Sequence, residues 1–168
     1  MKTTLMVCDI QPEYRKYIPF RIERFAAFLN RSVARRWNKT IYFYNGYDTL
    51  GMIREHELMD WLFEYGVTGQ TLDRIEFIDK GYGFLSNLIE NNENQKTICE
   101  AVRKLDSSNL HHMRINGGTV YYNDCFPIIQ QNKNITFIGG GEKQCLAELC
   151  YVAKAYNCKY QFNHNFIY

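Results

Sequence analysis

The stretch Ile135-Thr136-Phe137-Ile138-Gly139-Gly140-Gly141-Glu142-Lys143-Gln144-Cys145 decides the fold. Its first four residues are apolar or β-branched and read as a short buried strand. Three glycines then break the strand, and from Leu146 to Tyr156 apolar residues recur at helical spacing. This order places Cys145 in the first turn of a helix, where unpaired backbone N–H groups and the helix dipole favour a thiolate. A nucleophile belongs at such a place; a small buried core residue is the plainer reading of the same cysteine.

Outward from this stretch the strand-then-helix unit recurs. Thr4 to Ile10 reads as a buried strand, and Arg21 to Trp37 as a helix with Ile22, Phe25, Ala26, Phe28, Leu29 and Val33 at helical spacing. Thr40 to Tyr44 is β-rich and stops at Asn45-Gly46, after which Glu55 to Tyr65 sets Leu58, Met59, Leu62 and Phe63 on one helical face. Arg74 to Ile78 is a third strand, Phe84 to Ile89 and Lys96 to Leu105 are helices, and Ile135 to Ile138 is a fourth strand. Cys145 to Tyr156 is a helix and Lys159 to Phe162 a closing strand. The alternation predicts a three-layer α/β fold, a doubly wound, mostly parallel sheet with helices on both faces. The whole chain, 1–168, reads as one domain carrying an inserted segment at about 107–134, where Asn116-Gly117-Gly118 and the following Thr119 to Tyr122 predict a hairpin arm. That arm reads as a lid or oligomer contact, or as a surface loop without special role.

Composition sets the class of protein. A chain of 168 residues buries enough surface to fold without a disulfide or metal staple. Its 46% apolar and 23% charged residues are an ordinary globular balance that argues against disorder, and a net charge of +2 demands no polyanionic partner. No run approaches the roughly 18 apolar residues of a membrane span. Met1-Lys2-Thr3-Thr4 leads into a strand without a signal-peptide cleavage site, so a cytoplasmic protein with no membrane partner is expected. The six cysteines, Cys8, Cys99, Cys125, Cys145, Cys150 and Cys158, show no C-x-x-C pair and no zinc spacing, and are expected as thiols with no metal or other cofactor. His111 and His112 read as a solvated loop. Arg21, Arg24, Arg31, Arg35 and Arg36, interleaved with Glu23, read as a solvated helix face in preference to a nucleic-acid surface.

In a parallel sheet ligands bind beyond the carboxyl ends of the strands, and three chemistry-bearing residues fall there. Asp9 ends the first strand, Lys80 follows the third and Cys145 follows the fourth. Singly, an acid at a strand end is often a helix cap and a lysine a surface charge. Together they comprise a nucleophile, a carboxylate able to take its proton, and a cation that stabilises the negative charges.

With these residues in view, the chain resembles the isochorismatase-like cysteine hydrolases, which include nicotinamidases and carbamoyl-amide hydrolases. Asp9-Ile10-Gln11-Pro12-Glu13-Tyr14 is similar to the family's D-x-Q-x-x-F, Lys80-Gly81-Tyr82-Gly83-Phe84 to its lysine segment, and Gly139 to Cys145 to its G-V-x-x-x-x-C. The resemblance implies an Asp9-Lys80-Cys145 triad that hydrolyses a small amide or related carbonyl substrate through a thioester. It also implies an oxyanion hole from the Gly141 and Cys145 N–H groups, and a non-proline cis peptide at Gly140-Gly141. Gln11, Tyr14, Tyr47, Tyr82, Gly140 and Glu142 are the expected pocket residues, the tyrosines as stacking faces for a flat substrate. Two departures stand out. Glu142-Lys143 replaces the family's small polar and acidic residues before the cysteine. The metal-holding stretch of nicotinamidases is matched here by Tyr44 to Thr49, which offers Asp48 but no adjacent histidine, His56 lying eight residues beyond, so no metal is expected. The chain ends soon after the fifth strand, and a second copy is expected to cover the exposed sheet edge as a homo-oligomer. The alternative is a catalytically inactive relative that keeps the fold and binds a ligand or protein partner.

Overall fold

The computed structural model describes residues 3–46, 52–80, 85–107, 112–115, 118–121 and 125–168. Strands β1 (Thr4–Cys8), β2 (Thr40–Tyr44) and β3 (Ile75–Asp79) are joined through helices α1 (Ile22–Ser32), α2 (Glu55–Glu64) and the short α3 (Gly69–Leu72). After β3 come α4 (Ser86–Glu90), α5 (Gln95–Ser107), a hairpin of β4 (His112–Ile115) and β5 (Gly118–Tyr121), and α6 (Cys125–Gln131). Strand β6 (Asn134–Gly139), helix α7 (Cys145–Ala155) and strand β7 (Lys159–Phe162) complete the order. Five strands form one sheet in the order β3-β2-β1-β6-β7, every pairing parallel. The antiparallel pair β4–β5 forms a separate two-stranded sheet, and Asn116 and Gly117, where the turn was expected, lie outside the described residues.

Alternating side chains give the sheet two buried faces. Leu5, Val7, Tyr42 and Tyr44 point into a cluster with Ile22, Phe25 and Leu29 of α1 and Leu58 and Leu62 of α2. Met6, Cys8, Ile41, Phe43, Ile135 and Phe137 point the other way, onto Ile98 and Val102 of α5, Ile129 of α6, and Leu146, Leu149 and Val152 of α7. The fold is therefore the expected three-layer, doubly wound α/β arrangement, and its sheet is entirely parallel.

The differences in element bounds have local causes. β1 ends at Cys8, two residues before the sequence pattern suggests, because Asp9 adopts φ +50° and turns the chain out of the ladder. α1 ends at Ser32, although Val33 N–H still donates to Leu29 O and Arg36 N–H to Ser32 O, so the stretch stays coiled up to Trp37. Helix α6 has no counterpart in the sequence reading, since its seven residues include Pro127 and are too few for a helical period to declare itself. Arg21, Arg24, Arg31, Arg35 and Arg36 are exposed, with Arg24 lying over the Phe166 ring and Arg36 over Trp37. Among the described residues no helix is long and apolar enough to cross a membrane.

After β7 the chain folds back over the α1 face. Phe166 is buried there against Phe20, Phe25 and Phe28, at ring-centroid distances of 5.2, 5.6 and 4.9 Å. This aromatic anchor brings Tyr168 back to the carboxyl end of β1, where the chain's chemistry collects.

Candidate active site

From β1 the connections run through β2 to β3 on one side, then cross to β6 and β7 on the other. The carboxyl ends of β1 and β6 consequently diverge at the topological switch point, where open α/β sheets leave a crevice. Asp9 leaves β1 at this point, and the turn after β6 delivers Cys145 beside it. Lys80 enters from β3, two strands away, its N–H continuing the ladder to Tyr44 O at 2.9 Å.

Lys80 Nζ lies 2.9 Å from Asp9 Oδ2, with side chains only 1% and 0% exposed. Charges that deeply buried persist only when paired. Burial by itself works against the ammonium. The surrounding Asp9, Cys8, Cys145 and Glu148 outweigh it and hold the Lys80 pKa well above the ordinary lysine range. Cys145 Sγ and an Asp9 carboxylate oxygen lie within 4.8 Å of one another, and Cys8 Sγ is within the same distance of both. The Cys8 thiol donates to the carboxylate, at 3.6 Å from Oδ2. Asp9 Oδ1, fully buried, has no hydrogen-bond partner among the described residues.

A frame of hydrogen bonds fixes these groups. Asn45, buried at the end of β2, accepts from Lys80 Nζ through Oδ1 at 3.3 Å and donates from Nδ2 to the Tyr14 hydroxyl at 2.7 Å. Gln11 is fully buried and clasps the Asn45 backbone, accepting from Asn45 N at 2.9 Å and donating to Asn45 O at 3.3 Å. Asp79 accepts from Gly46 N at 2.8 Å, tying the ends of β2 and β3 together. Tyr168 donates to Asp9 O at 2.7 Å and Tyr42 to the following Ile10 O, so the turn that leaves β1 is held by two phenols. Glu148, buried on α7, accepts from Leu85 N at 2.9 Å and thereby fixes the chain beyond Lys80.

The glycine turn is built by close approach. Gly139 and Gly140 have φ of +78° and +72°, a left-handed region that glycine enters without strain. A Cβ at Gly139 would strike the Cys8 carbonyl oxygen, and one at Gly140 would come within 2.9 Å of Cys8 Sγ. No cis peptide bond occurs among the described residues, so the cis bond expected at Gly140-Gly141 is corrected: two successive left-handed glycines turn the chain instead. Gln144 N and Leu146 N donate to Gly141 O, and Glu142 N to Tyr168 O. None of these bonds engages the N–H of Gly141 or Cys145, and no side chain caps α7 at Gln144.

Cys145 is 7% exposed and opens into a cavity of about 600 Å³ that Tyr14, Tyr17, Gly141, Lys143, Gln144 and Tyr168 line with it. Burial, followed by the charge of Asp9, raises the pKa values of both Tyr14 and Tyr168, which keeps them as neutral phenols. Of the expected pocket residues, Tyr14 lines this cavity, Gln11 and Gly140 are buried and do not line it, and Glu142 lines another groove with Ala147 and Tyr151. Tyr47 and Tyr82 lie outside the described residues, as does Asp48. Cys8, Asp9 and Cys145 are the described residues whose donor atoms are close enough to share an ion, and Lys80 already supplies a positive charge at that carboxylate.

Four participants were hidden from the sequence. Asn45 reads as half of an Asn-Gly turn, Cys8 as a small strand residue, and Glu148 as one polar position in an apolar helix. Tyr168 carries no pattern at all; only the Phe166 anchor and the return of the tail explain its place.

No protein-family model and no curated protein sequence matches the chain. Among solved structures, a ribonuclease, MAR1, from Caenorhabditis elegans superimposes at a TM-score of 0.45 with 13% identity, over 99% of this chain and 64% of that one. This chain thus spans about two thirds of the ribonuclease's length, and a likeness so slight does not speak to activity.

Proposed function

We propose that the protein is a cysteine hydrolase of the isochorismatase-like kind, acting on a small amide or related carbonyl compound through Asp9, Lys80 and Cys145. The observation that carries this reading is the buried Lys80–Asp9 pair, 2.9 Å apart, beside a cysteine at the start of a helix and at the floor of a cavity. A structural ion pair needs no cavity and no adjacent thiol.

In this reading Asp9 accepts the Cys145 proton, and Lys80 steadies the carboxylate and the thiolate in turn. The sulfur attacks the substrate carbonyl. The Gly141 and Cys145 N–H groups receive the oxyanion, each contributing about 3 kcal/mol to the transition state. Asp9 returns the proton to the leaving amine, and water then releases the acyl group from the thioester. Tyr14, Tyr17 and Tyr168 offer aromatic faces to a flat substrate, and Lys143 and Gln144 offer a charge and an amide at the rim. A second copy pairing along the outer strand β7, where Phe162 is 37% exposed, belongs to the same reading.

Alkylation with iodoacetamide at neutral pH, mapped by peptide mass spectrometry, tests the activated thiol. Cys145 is expected to react first, and Cys150, whose pKa burial pushes up to about 12, to lag far behind. Uniform, slow labelling of all the cysteines would favour a ligand-binding protein without turnover.

A further inference from the structure

The hydrolysis proposed above gives Cys8 no role, yet Cys8 is a fully buried thiol in contact with the site. It is the last residue of β1, its Sγ lies within 4.8 Å of Cys145 Sγ, and it donates toward Asp9 Oδ2 at 3.6 Å. Glycine at position 140 leaves its sulfur room against the turn that carries Cys145.

We infer that Cys8 is a resolving cysteine, which converts a hydroperoxide-oxidised Cys145 into a Cys8–Cys145 disulfide and so stores the nucleophile in a reversible, inactive form. The inference rests on the proposed function insofar as it needs a Cys145 thiolate open to the cavity. In the first step that sulfur attacks a peroxide oxygen and the O–O bond breaks. The departing oxygen takes a proton and leaves as water or an alcohol; Cys145 becomes a sulfenic acid as the peroxide is reduced. In the second step Cys8 passes its proton to Asp9 and attacks the sulfenic sulfur. The S–S bond forms, the S–O bond breaks, and hydroxide leaves with that proton as water. Two equivalents of a thiol reductant restore both cysteines.

The geometry suits these steps. A disulfide needs its sulfurs about 2.05 Å apart, so the two must approach by under about 3 Å, a distance that side-chain rotation and a small shift of the first helical turn supply. Burial, a hydrogen bond with Cys145 and the charge of Asp9 all hold the Cys8 thiol above its ordinary range, so it stays protonated while Cys145 is reduced. The carboxylate that serves as base for one cysteine is thus in reach of the other.

The test treats the full chain with hydrogen peroxide, caps remaining thiols with N-ethylmaleimide in denaturant so that buried Cys8 is reached, and maps the non-reduced digest by mass spectrometry. The expected product joins the Cys8 and Cys145 peptides with loss of two hydrogens, and dithiothreitol reverses it. In Cys8→Ser and Cys8→Ala variants, Cys145 is expected to be trapped by dimedone and to reach the sulfinic acid about tenfold faster than in the wild type. Wild-type Cys145 carrying two added oxygens while Cys8 remains alkylated would overturn the inference without touching the hydrolase reading. A Cys145 that neither oxidises nor forms an acyl-enzyme would overturn both. The wild-type cross-link needs no variant, so a poorly folded Cys8 substitution does not decide the matter.

Discussion

Replacing Lys80 with Met removes the ammonium while keeping most of the aliphatic stem, and so isolates charge from packing. At 2.9 Å and an effective dielectric constant of about 20, the Lys80–Asp9 attraction is about 6 kcal/mol, most of it offset by the desolvation of both groups. The wild-type pair therefore adds little net stability, but the variant strands the Asp9 carboxylate in the core. One of its oxygens already has no hydrogen-bond partner among the described residues, and Asn45 Oδ1 loses its donor as well. The expected loss is about 3–5 kcal/mol, the usual cost of breaking a buried pair from one side. For a chain of this size that lowers Tm by about 10 °C. Removing both charges in Asp9→Asn/Lys80→Met should recover much of the loss, because no buried ion is then left unpaired. Urea denaturation at neutral pH reads both variants. A single variant that loses less than about 1 kcal/mol, or a double variant no more stable than the single, would refute the buried charged pair.

Three further outcomes follow from the same geometry. Gly139→Ala places a methyl group against the Cys8 carbonyl at a left-handed φ, and a loss of more than about 3 kcal/mol in urea denaturation is expected. Tyr168→Phe removes the donor to Asp9 O and should cost about 1–2 kcal/mol; an unchanged midpoint would show that the tail does not brace the site. Cys8, Tyr14, Tyr42, Tyr168 and Lys80 all have raised pKa values, so each holds its proton more tightly folded than unfolded. Their stabilisation is complete below the ordinary pKa values and drains as pH rises past them, first for Cys8 from its ordinary value of 9.0 and then for the tyrosines and Lys80. The urea midpoint should stay level near neutrality and fall in the alkaline range, and a midpoint that stays level throughout would contradict these shifts.

The layers were legible in the sequence because the three central strands, β1, β2 and β6, are buried on both faces and leave apolar runs that end at Asp9, Asn45 and the glycine turn, whereas the outer strands β3 and β7 are more polar and show through β-rich composition between helices. Asp9, Lys80 and Cys145 could be picked out for the same reason, since strand ends are where such a sheet exposes chemistry. What the sequence did not disclose depends on contacts far apart along the chain. Asn45 matters only because β2 lies between β1 and β3, which puts it under the Lys80 ammonium. Cys8 matters because the glycine turn folds directly against it. Tyr168 reaches Asp9 across 159 positions, through an aromatic anchor that no local periodicity announces. The turn at Gly140 differs in kind from the expectation: its glycines signal close approach and left-handed backbone, and neither requires a cis bond.

The central claim, that Cys145 is a nucleophile activated by Asp9 and Lys80, is tested most directly by trapping its acyl-enzyme. The protein is mixed with p-nitrophenyl acetate at neutral pH, quenched within seconds and measured by intact mass and peptide mapping. One acetyl group on Cys145 is expected, with a matching burst of p-nitrophenol, and loss of both by at least about 10³-fold in Cys145→Ser and in Asp9→Asn. Acetylation spread over several cysteines and lysines, at rates that Asp9→Asn leaves unchanged, would contradict the claim.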